Sequence, residues 1–337
     1  MYKLKQIPED FVVIEVPAVK TETQGRFLYF WLKKKGLNTL DVVKELARQL
    51  RIQEKDIGFA GSKDKHAVTE QMISINGMRK EAVEKLKFEN IHLDFYDFGS
   101  KPISLGDLQG NKFEIVIRNL DNEKIEKTDY LENYFDEQRF SENNVKIGRY
   151  LLKKDFGKAA ALVDDSKVRK HLQNKPTDYV GALKVLPLRL LRMYVNAYQS
   201  YLWNKTVAIY LEKNGAVLKK VAYSEGLLVF ISNPTSCKDL KIPVVGFGHE
   251  DSADAEIQRI IDEVMQEEDL SFNDFIIKQI PELTLEGELR NVFVEVKDMK
   301  IGKKEQDELN PEKKKVKVSF TLPKGSYATM LIKRIVS

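Results

Sequence analysis

Near the start of the chain, apolar and polar positions alternate in short runs. Phe11, Val13 and Glu15 fall on one side of an extended segment and Val12 and Ile14 on the other, the period of two that predicts a strand. Gly25-Arg26-Phe27-Leu28-Tyr29-Phe30-Trp31-Leu32 is a denser strand-forming run that ends in Lys33-Lys34-Lys35 and Gly36. The spacing then changes. Leu40, Val43, Leu46, Ala47 and Leu50 recur at helical intervals behind Asn38 and Thr39, which offer N-cap chemistry, so a helix packed on a sheet is expected there. A strand over Met72–Ile75, a helical Lys80–Leu86, and alternating strands over Ile91–Phe98 and Phe113–Leu120 follow, with antiparallel pairing the natural arrangement.

The middle of the chain has a different texture. Gly148–Leu152 is helical in pattern, and the stretch from Lys153 through Thr177 is polar and lysine-rich, so a domain boundary is expected near it. A long helix from about Leu190 to Leu211 carries Leu191, Val195, Tyr198 and Leu202 on one face and ends at Asn214-Gly215. From Val217 to Pro281, short strands, the turn Ile242–Gly248 and a helix with Ile257, Ile260, Ile261, Val264 and Met265 can form a separate core. Strands at Val292–Val296 and Val316–Phe320 then return to the first domain, and Gly325 with a Ser326 cap opens a C-terminal helix. The pattern is that of an α+β protein: a mixed, largely antiparallel sheet with flanking helices, interrupted by an inserted α+β domain.

Composition narrows the class. With 337 residues, 42% hydrophobic and 31% charged, the chain is long enough for two domains with real cores and belongs with soluble globular proteins. It has no apolar run of membrane-spanning length and no signal-peptide core near its N-terminus, so a cytosolic (cytoplasmic) protein is expected. A net charge of +4 does not by itself announce a nucleic-acid binder, and the triplets Lys33–Lys35 and Lys313–Lys315 read either as solvated turns or as RNA contacts. The lone Cys237 excludes an internal disulfide and a cysteine-cluster zinc site, while His66, His92, His171 and His249 are scattered. Neither a metal nor a bound cofactor is expected.

The stretch with most chemical content is Gly58-Phe59-Ala60-Gly61-Ser62-Lys63-Asp64-Lys65-His66-Ala67-Val68-Thr69-Glu70-Gln71, a loop entering a strand, with glycines that would let backbone approach a ligand closely. Asp64 lies between two lysines, whose charge favours an ionised carboxylate suited to nucleophilic or electrostatic work. The same triplet also reads as a solvated charged turn. Asn133-Tyr134-Phe135-Asp136-Glu137-Gln138-Arg139-Phe140, taken as plain structure, is a helix C-terminus with Phe135 and Phe140 in the core.

Together these stretches resemble the TruD family of RNA pseudouridine synthases. The Asp64 loop follows its G-x-K-D-x-x-A-x-T-x-Q signature, and Lys5-Gln6-Ile7-Pro8-Glu9-Asp10-Phe11 is similar to its opening K-x-x-P-E-D-F. Further similarity runs through Leu105–Phe113, Asn133–Phe140, Ala197–Asn204, Leu283–Arg290 and Leu322–Thr329. The resemblance implies that Asp64 is the nucleophile, that Lys5 holds the basic active-site position, that Phe135 stacks on the target base and that Asn133 hydrogen-bonds in the active site. An aromatic face and an amide suit a flipped uracil. Lys63, Lys65, His66, Gln71, Gln138 and Arg139 are the expected RNA contacts, Gln138 and Arg139 alternatively supporting their loop. It further implies a catalytic domain of residues 1–155 and 289–337, an inserted family-specific domain of residues 156–288 facing it across an RNA-binding cleft, and isomerisation of a uridine in RNA, uridine 13 of tRNA, without a cofactor. The chain departs from the family pattern at Asp136 and Ser141, where glycines are usual, at Trp203, where phenylalanine is, and at Lys333-Arg334 in place of Arg-Glu. Those changes leave room for an inactive RNA-binding homologue. Glycoside hydrolysis would need a second carboxyl group across the bond, for which only Glu70 could be offered.

Overall fold

The computed structural model describes residues 2–140, 143–248, 252 and 254–336. The chain divides into two compact units, Met1–Asp129 with Glu295–Ala328 and Ile335–Ser337, and Tyr130–Val294 with Thr329–Arg334.

The first unit is built on one mixed sheet. The strand Phe11–Pro17 lies at its middle, parallel to Val68–Asn76 on one side and antiparallel to Leu108–Leu120 on the other. Beyond Val68–Asn76 come Phe27–Lys35 and then Ile91–Gly99, both antiparallel; beyond Leu108–Leu120 come Lys314–Pro323 and Lys297–Ile301, again antiparallel. The parallel pairing is possible because a long connection containing the helix Thr39–Leu50 separates the two strands. That helix buries Val42, Val43, Leu46, Ala47 and Leu50 against Leu28, Phe30, Leu32, Ile73 and Ile75 of the sheet. Leu40, expected on its apolar face, is exposed instead. Tyr29, Met72, Ile103 and Leu108 form a smaller cluster with Phe27 and Trp31. Both lysine triplets depart from the turn reading: the strand Phe27–Lys35 contains all of the first, and the strand Lys314–Pro323 takes in Lys314 and Lys315.

The second unit centres on the helix Leu188–Asn214, which buries Leu191, Val195, Tyr198, Leu202 and Trp203. The helix Asn144–Leu152 approaches it so closely at Gly148 that a Cβ there would lie 2.2 Å from the Tyr194 carbonyl oxygen. The lysine-rich stretch after it holds the helices Phe156–Leu162 and Ser166–Asn174, N-capped by the carboxylates of Asp155 and Asp165. A hairpin of Val217–Tyr223 and Gly226–Ile231, a strand pair of Lys241–Val244 and Glu288–Asn291, and the helix Ala255–Glu267 complete this core. The C-terminal helix Ala328–Ile335 forms as expected, but Ser326 does not supply its cap: its Oγ is buried without a hydrogen-bond partner. Among the described residues, no helix is long and apolar enough to cross a membrane.

Candidate active site

In the first unit, the short strand Ile57–Phe59 runs into the loop that carries Asp64, and Val68–Asn76 leaves it. Gly58 is required by packing, since a Cβ would meet the Ile103 carbonyl oxygen at 2.3 Å. Gly61 faces open space, where a Cβ would meet nothing within 4 Å. Beneath the loop, buried polar groups fix its path. Gln71 donates from Nε2 to the Gly61 carbonyl (3.0 Å) and accepts at Oε1 from the Thr39 hydroxyl (3.0 Å). Thr39 Oγ1 in turn accepts from the Lys63 backbone N–H (3.0 Å). The Lys63 ammonium lies 2.5 Å from Glu15 Oε2, while Glu15 Oε1 accepts from the Met72 N–H, so this ion pair is buried in the sheet.

Lys34 completes the support. Only 1% exposed, it donates from Nζ to the carbonyl oxygens of Leu37 (2.6 Å), Asp64 (3.1 Å) and Lys63 (3.4 Å). Burial pushes its ammonium down to about 8, against the opposing pull of Asp64 and with a smaller lowering from Lys63.

On the solvent side, Lys5 Nζ lies 2.8 Å from Asp64 Oδ2, with the side chains 18% and 37% exposed respectively. The same ammonium sits 4.1 Å from the centroid of the Phe11 ring. Lys5 adopts φ 57°, a left-handed conformation that costs a non-glycine residue free energy and sets the direction in which its side chain leaves the backbone. An accessible carboxylate hydrogen-bonded to a cation, on a braced backbone, has the geometry of a positioned nucleophile. Lys65 and His66 are exposed beside it. Lys63 and Gln71 turn inward, their polar groups engaged by Glu15, Thr39 and Gly61.

The second unit holds the other group of candidates. Phe135 lies in an irregular segment before a single 3-10 turn at Glu137–Arg139, not at a helix C-terminus. Asn204, from the long helix, clamps its backbone by accepting from the Phe135 N–H (3.0 Å) and donating to its carbonyl (2.9 Å). The ring is 8% exposed and meets Trp203 edge-on at 5.6 Å, and the Arg290 guanidinium lies 4.0 Å from its centroid. Arg290 also donates to the Asn133 carbonyl (2.9 Å). Asn133 donates from Nδ2 to the Asn291 carbonyl (3.2 Å), but its Oδ1 is buried with no partner, an acceptor left open. Arg139 donates to Ser200 Oγ (3.2 Å), and Gln138 is exposed.

The departures at Asp136 and Lys333-Arg334 have local explanations. Asp136 sits at φ −86°, where no glycine is needed, and accepts from the Thr329 hydroxyl (2.6 Å) with Lys333 at 3.5 Å. Arg334 is buried against Glu132 (2.5 Å). Ser141 lies outside the described residues.

A family model described as tRNA pseudouridine synthase D (TruD) matches residues 2–167 and 162–335. The chain is 30% identical to "tRNA pseudouridine synthase D" of Aquifex aeolicus, with 99% of this chain and 97% of that protein covered. It is 33% identical to "Probable tRNA pseudouridine synthase D 2" of Methanocaldococcus jannaschii, over 98% and 91% of the two chains. The crystal structure of a candidate tRNA pseudouridine synthase D (TruD) from Methanosarcina mazei superposes with a TM-score of 0.74 at 27% identity, covering 99% of this chain and 93% of that one. The fold is that of an RNA-modifying isomerase, and the chain belongs to the TruD family of tRNA pseudouridine synthases.

Sequence reasoning missed Glu15, Lys34, Thr39, Asn204 and Arg290 as parts of these two constellations. Lys34 had a signal: it continues the alternation of Leu28, Phe30 and Leu32, which places it on the buried face of its strand.

Proposed function

We propose that this protein isomerises a specific uridine of tRNA, uridine 13, to pseudouridine, with Asp64 as nucleophile. The observation that carries the reading is the accessible Asp64 carboxylate held 2.8 Å from Lys5 on a loop whose backbone is fixed from beneath. Asp64 attacks the flipped nucleotide and the bond from C1′ to N1 breaks. The uracil turns, C1′ bonds to C5 as its bond to the Asp64 carboxylate breaks, the C5 proton leaves and N1 gains a proton, so no redox partner or cofactor is needed. Lys5 holds the Asp64 carboxylate in place through its hydrogen bond, Phe135 offers a stacking face and the open Asn133 Oδ1 accepts from the base. Lys65, His66, Gln138 and Arg139 are assigned to RNA contact. Lys63 and Gln71 are assigned to positioning instead, because their polar groups already have buried partners. By role, residues 1–155 with 289–337 make up the catalytic part and residues 156–288 the inserted part, working in the cytosol on RNA.

Asp64→Asn removes the nucleophile's charge with little change of volume. Pseudouridine formation should vanish while thermal stability and tRNA affinity remain near wild type, measured by nucleoside analysis of treated tRNA together with a binding titration. A variant that still forms pseudouridine would rule the assignment out, and release of free uracil by the wild type would point to glycosidic hydrolysis.

A further inference from the structure

We infer that Lys34 is a positioning residue for the reaction: its ammonium closes on the carbonyl oxygens of Leu37, Lys63 and Asp64 from inside the sheet and fixes the backbone that presents the Asp64 carboxylate. This rests on the reading of Asp64 as the nucleophile.

A cation inside a protein is unfavourable unless it is paired and hydrogen-bonded, and Lys34, 1% exposed, meets three carbonyl oxygens. Its strand presents Leu28, Phe30 and Leu32 on the same face, where an apolar side chain would continue the core without desolvating a charge. The ammonium instead directs its donors at one short piece of chain. Two of the acceptors are the carbonyls of consecutive loop residues, Lys63 and Asp64, and the third, Leu37, lies just before the helix that carries Thr39. Thr39 grips the other side of that peptide run through the Lys63 N–H. With Lys34 and Thr39 in place the peptides on both sides of Lys63 are held, and Asp64 retains only its side-chain torsions with which to reach Lys5. Loss of the ammonium leaves the buried Lys63 carbonyl and the half-buried Asp64 carbonyl without that donor, and the loop can rotate to solvate them. A shift of about 1 Å at a reacting group is enough to lower turnover by roughly two orders of magnitude.

Charge matters as well as geometry, because the ammonium titrates at about 8. The charged groups that act on it are Asp64 and Lys63 from the loop, whereas Lys33 and Lys35 of its own strand, and Glu70 and His92 beside its cross-strand partners Thr69 and Ile91, hold the alternate positions that face the other side of the sheet. Lys35 is occupied by Glu9, and Lys63 by Glu15. A neutral Lys34 amine has one donor fewer and no charge to hold the carbonyl dipoles, so kcat/KM should fall as pH rises through about 8.

The test compares wild type, Lys34→Met and Asp64→Asn on tRNA, with turnover, KM, tRNA affinity and thermal midpoint measured from pH 7 to 9. Folded Lys34→Met should lose roughly a hundredfold in kcat with KM and affinity changed by less than about threefold, and its residual rate should lack the decline that the wild type shows above pH 8. Wild-type kcat in Lys34→Met overturns the inference. If that variant does not fold, the wild-type profile decides, and a rate that stays flat to pH 9 overturns it. An inactive Asp64→Asn beside a fully active Lys34→Met would remove only the role of Lys34, whereas an active Asp64→Asn would remove the nucleophile reading itself.

Discussion

Tyr134 and Phe135 are adjacent in sequence and differ in what surrounds them. Tyr134 is fully buried, its hydroxyl donating to the Val229 carbonyl (3.0 Å) and accepting from the Val229 N–H (3.3 Å), with Trp203 and Phe230 against its ring. Phe135 has its backbone clamped by Asn204 and its ring beside Trp203 and Arg290, with a remnant of exposure. Tyr134 holds the core, and Phe135 is the residue proposed above to stack on the base. Tyr134→Phe should therefore lower stability by about 1 kcal/mol, the usual worth of a lost buried hydrogen bond, and leave kcat unchanged. Phe135→Ala should lower kcat/KM by the loss of a base-stacking platform, worth ~1–3 kcal/mol, in addition to any packing cost. Thermal melts and steady-state kinetics separate the two. If Phe135→Ala melts early but keeps wild-type kcat/KM once folded, its ring is a packing residue only.

At the level of elements, legibility followed periodicity. The strands Phe11–Pro17 and Phe27–Lys35 and the helix Thr39–Leu50 were readable because one face of each is buried, which forces the alternation or the helical spacing that a reader counts. The Asp64 loop could be found through its motif but not through periodicity. The alternation places Lys34 on the buried face of its strand, but what satisfies Glu15, Lys34 and Thr39 there could not be read, because a charged or hydroxyl residue carries no sign of whether water or a carbonyl satisfies it. Arg118 is another instance. At the far end of the strand Leu108–Leu120, its buried guanidinium reaches Asp10 (2.8 Å), Asp307 (2.8 Å) and Glu308 (3.0 Å), binding three separate segments together. Burial alone would raise the Asp307 carboxyl, yet hydrogen bonds from the Asn119 N–H, Asn310, the Leu309 N–H and Arg118 outweigh it and lower the group to about 2 from an ordinary 3.8. A depressed carboxyl stabilises the fold above its unfolded value, and that contribution disappears as pH falls toward the folded value. Stability of the wild type should thus decline between about pH 4 and pH 2 with a component that Asp307→Asn lacks, the variant being less stable at pH 7. Denaturant melts across that range measure it, and parallel curves for the two proteins would show that Asp307 is not a source of the acid loss.

For the whole molecule the question is how a chain of net charge +4 grips a polyanion. Its 55 basic side chains nearly balance 51 acidic ones, and many surface lysines already have partners, as Lys317 has Glu114 at 2.6 Å and Lys153 has Asp269 at 2.6 Å. Pairs of this kind on an exposed surface are worth little, so a phosphate can compete for the lysine at small cost. Binding should then be driven by release of counterions from the RNA, giving a log-log salt slope of roughly −0.7 per phosphate contact on single strands and roughly −0.9 on duplex. Asp64→Asn allows this to be measured at equilibrium, without turnover. The expected outcome is a steep fall in tRNA affinity as salt rises, and a slope smaller by about one contact when Lys65, exposed beside Asp64, is changed to Met in the same background. Lys63→Met should leave the slope unchanged while destabilising the protein, because its ammonium faces Glu15 inside the sheet. A flat salt response would show that recognition rests on base and shape contacts instead. A Lys63→Met slope that shifts as Lys65→Met does would mean that the loop opens on RNA and releases Lys63 to the backbone.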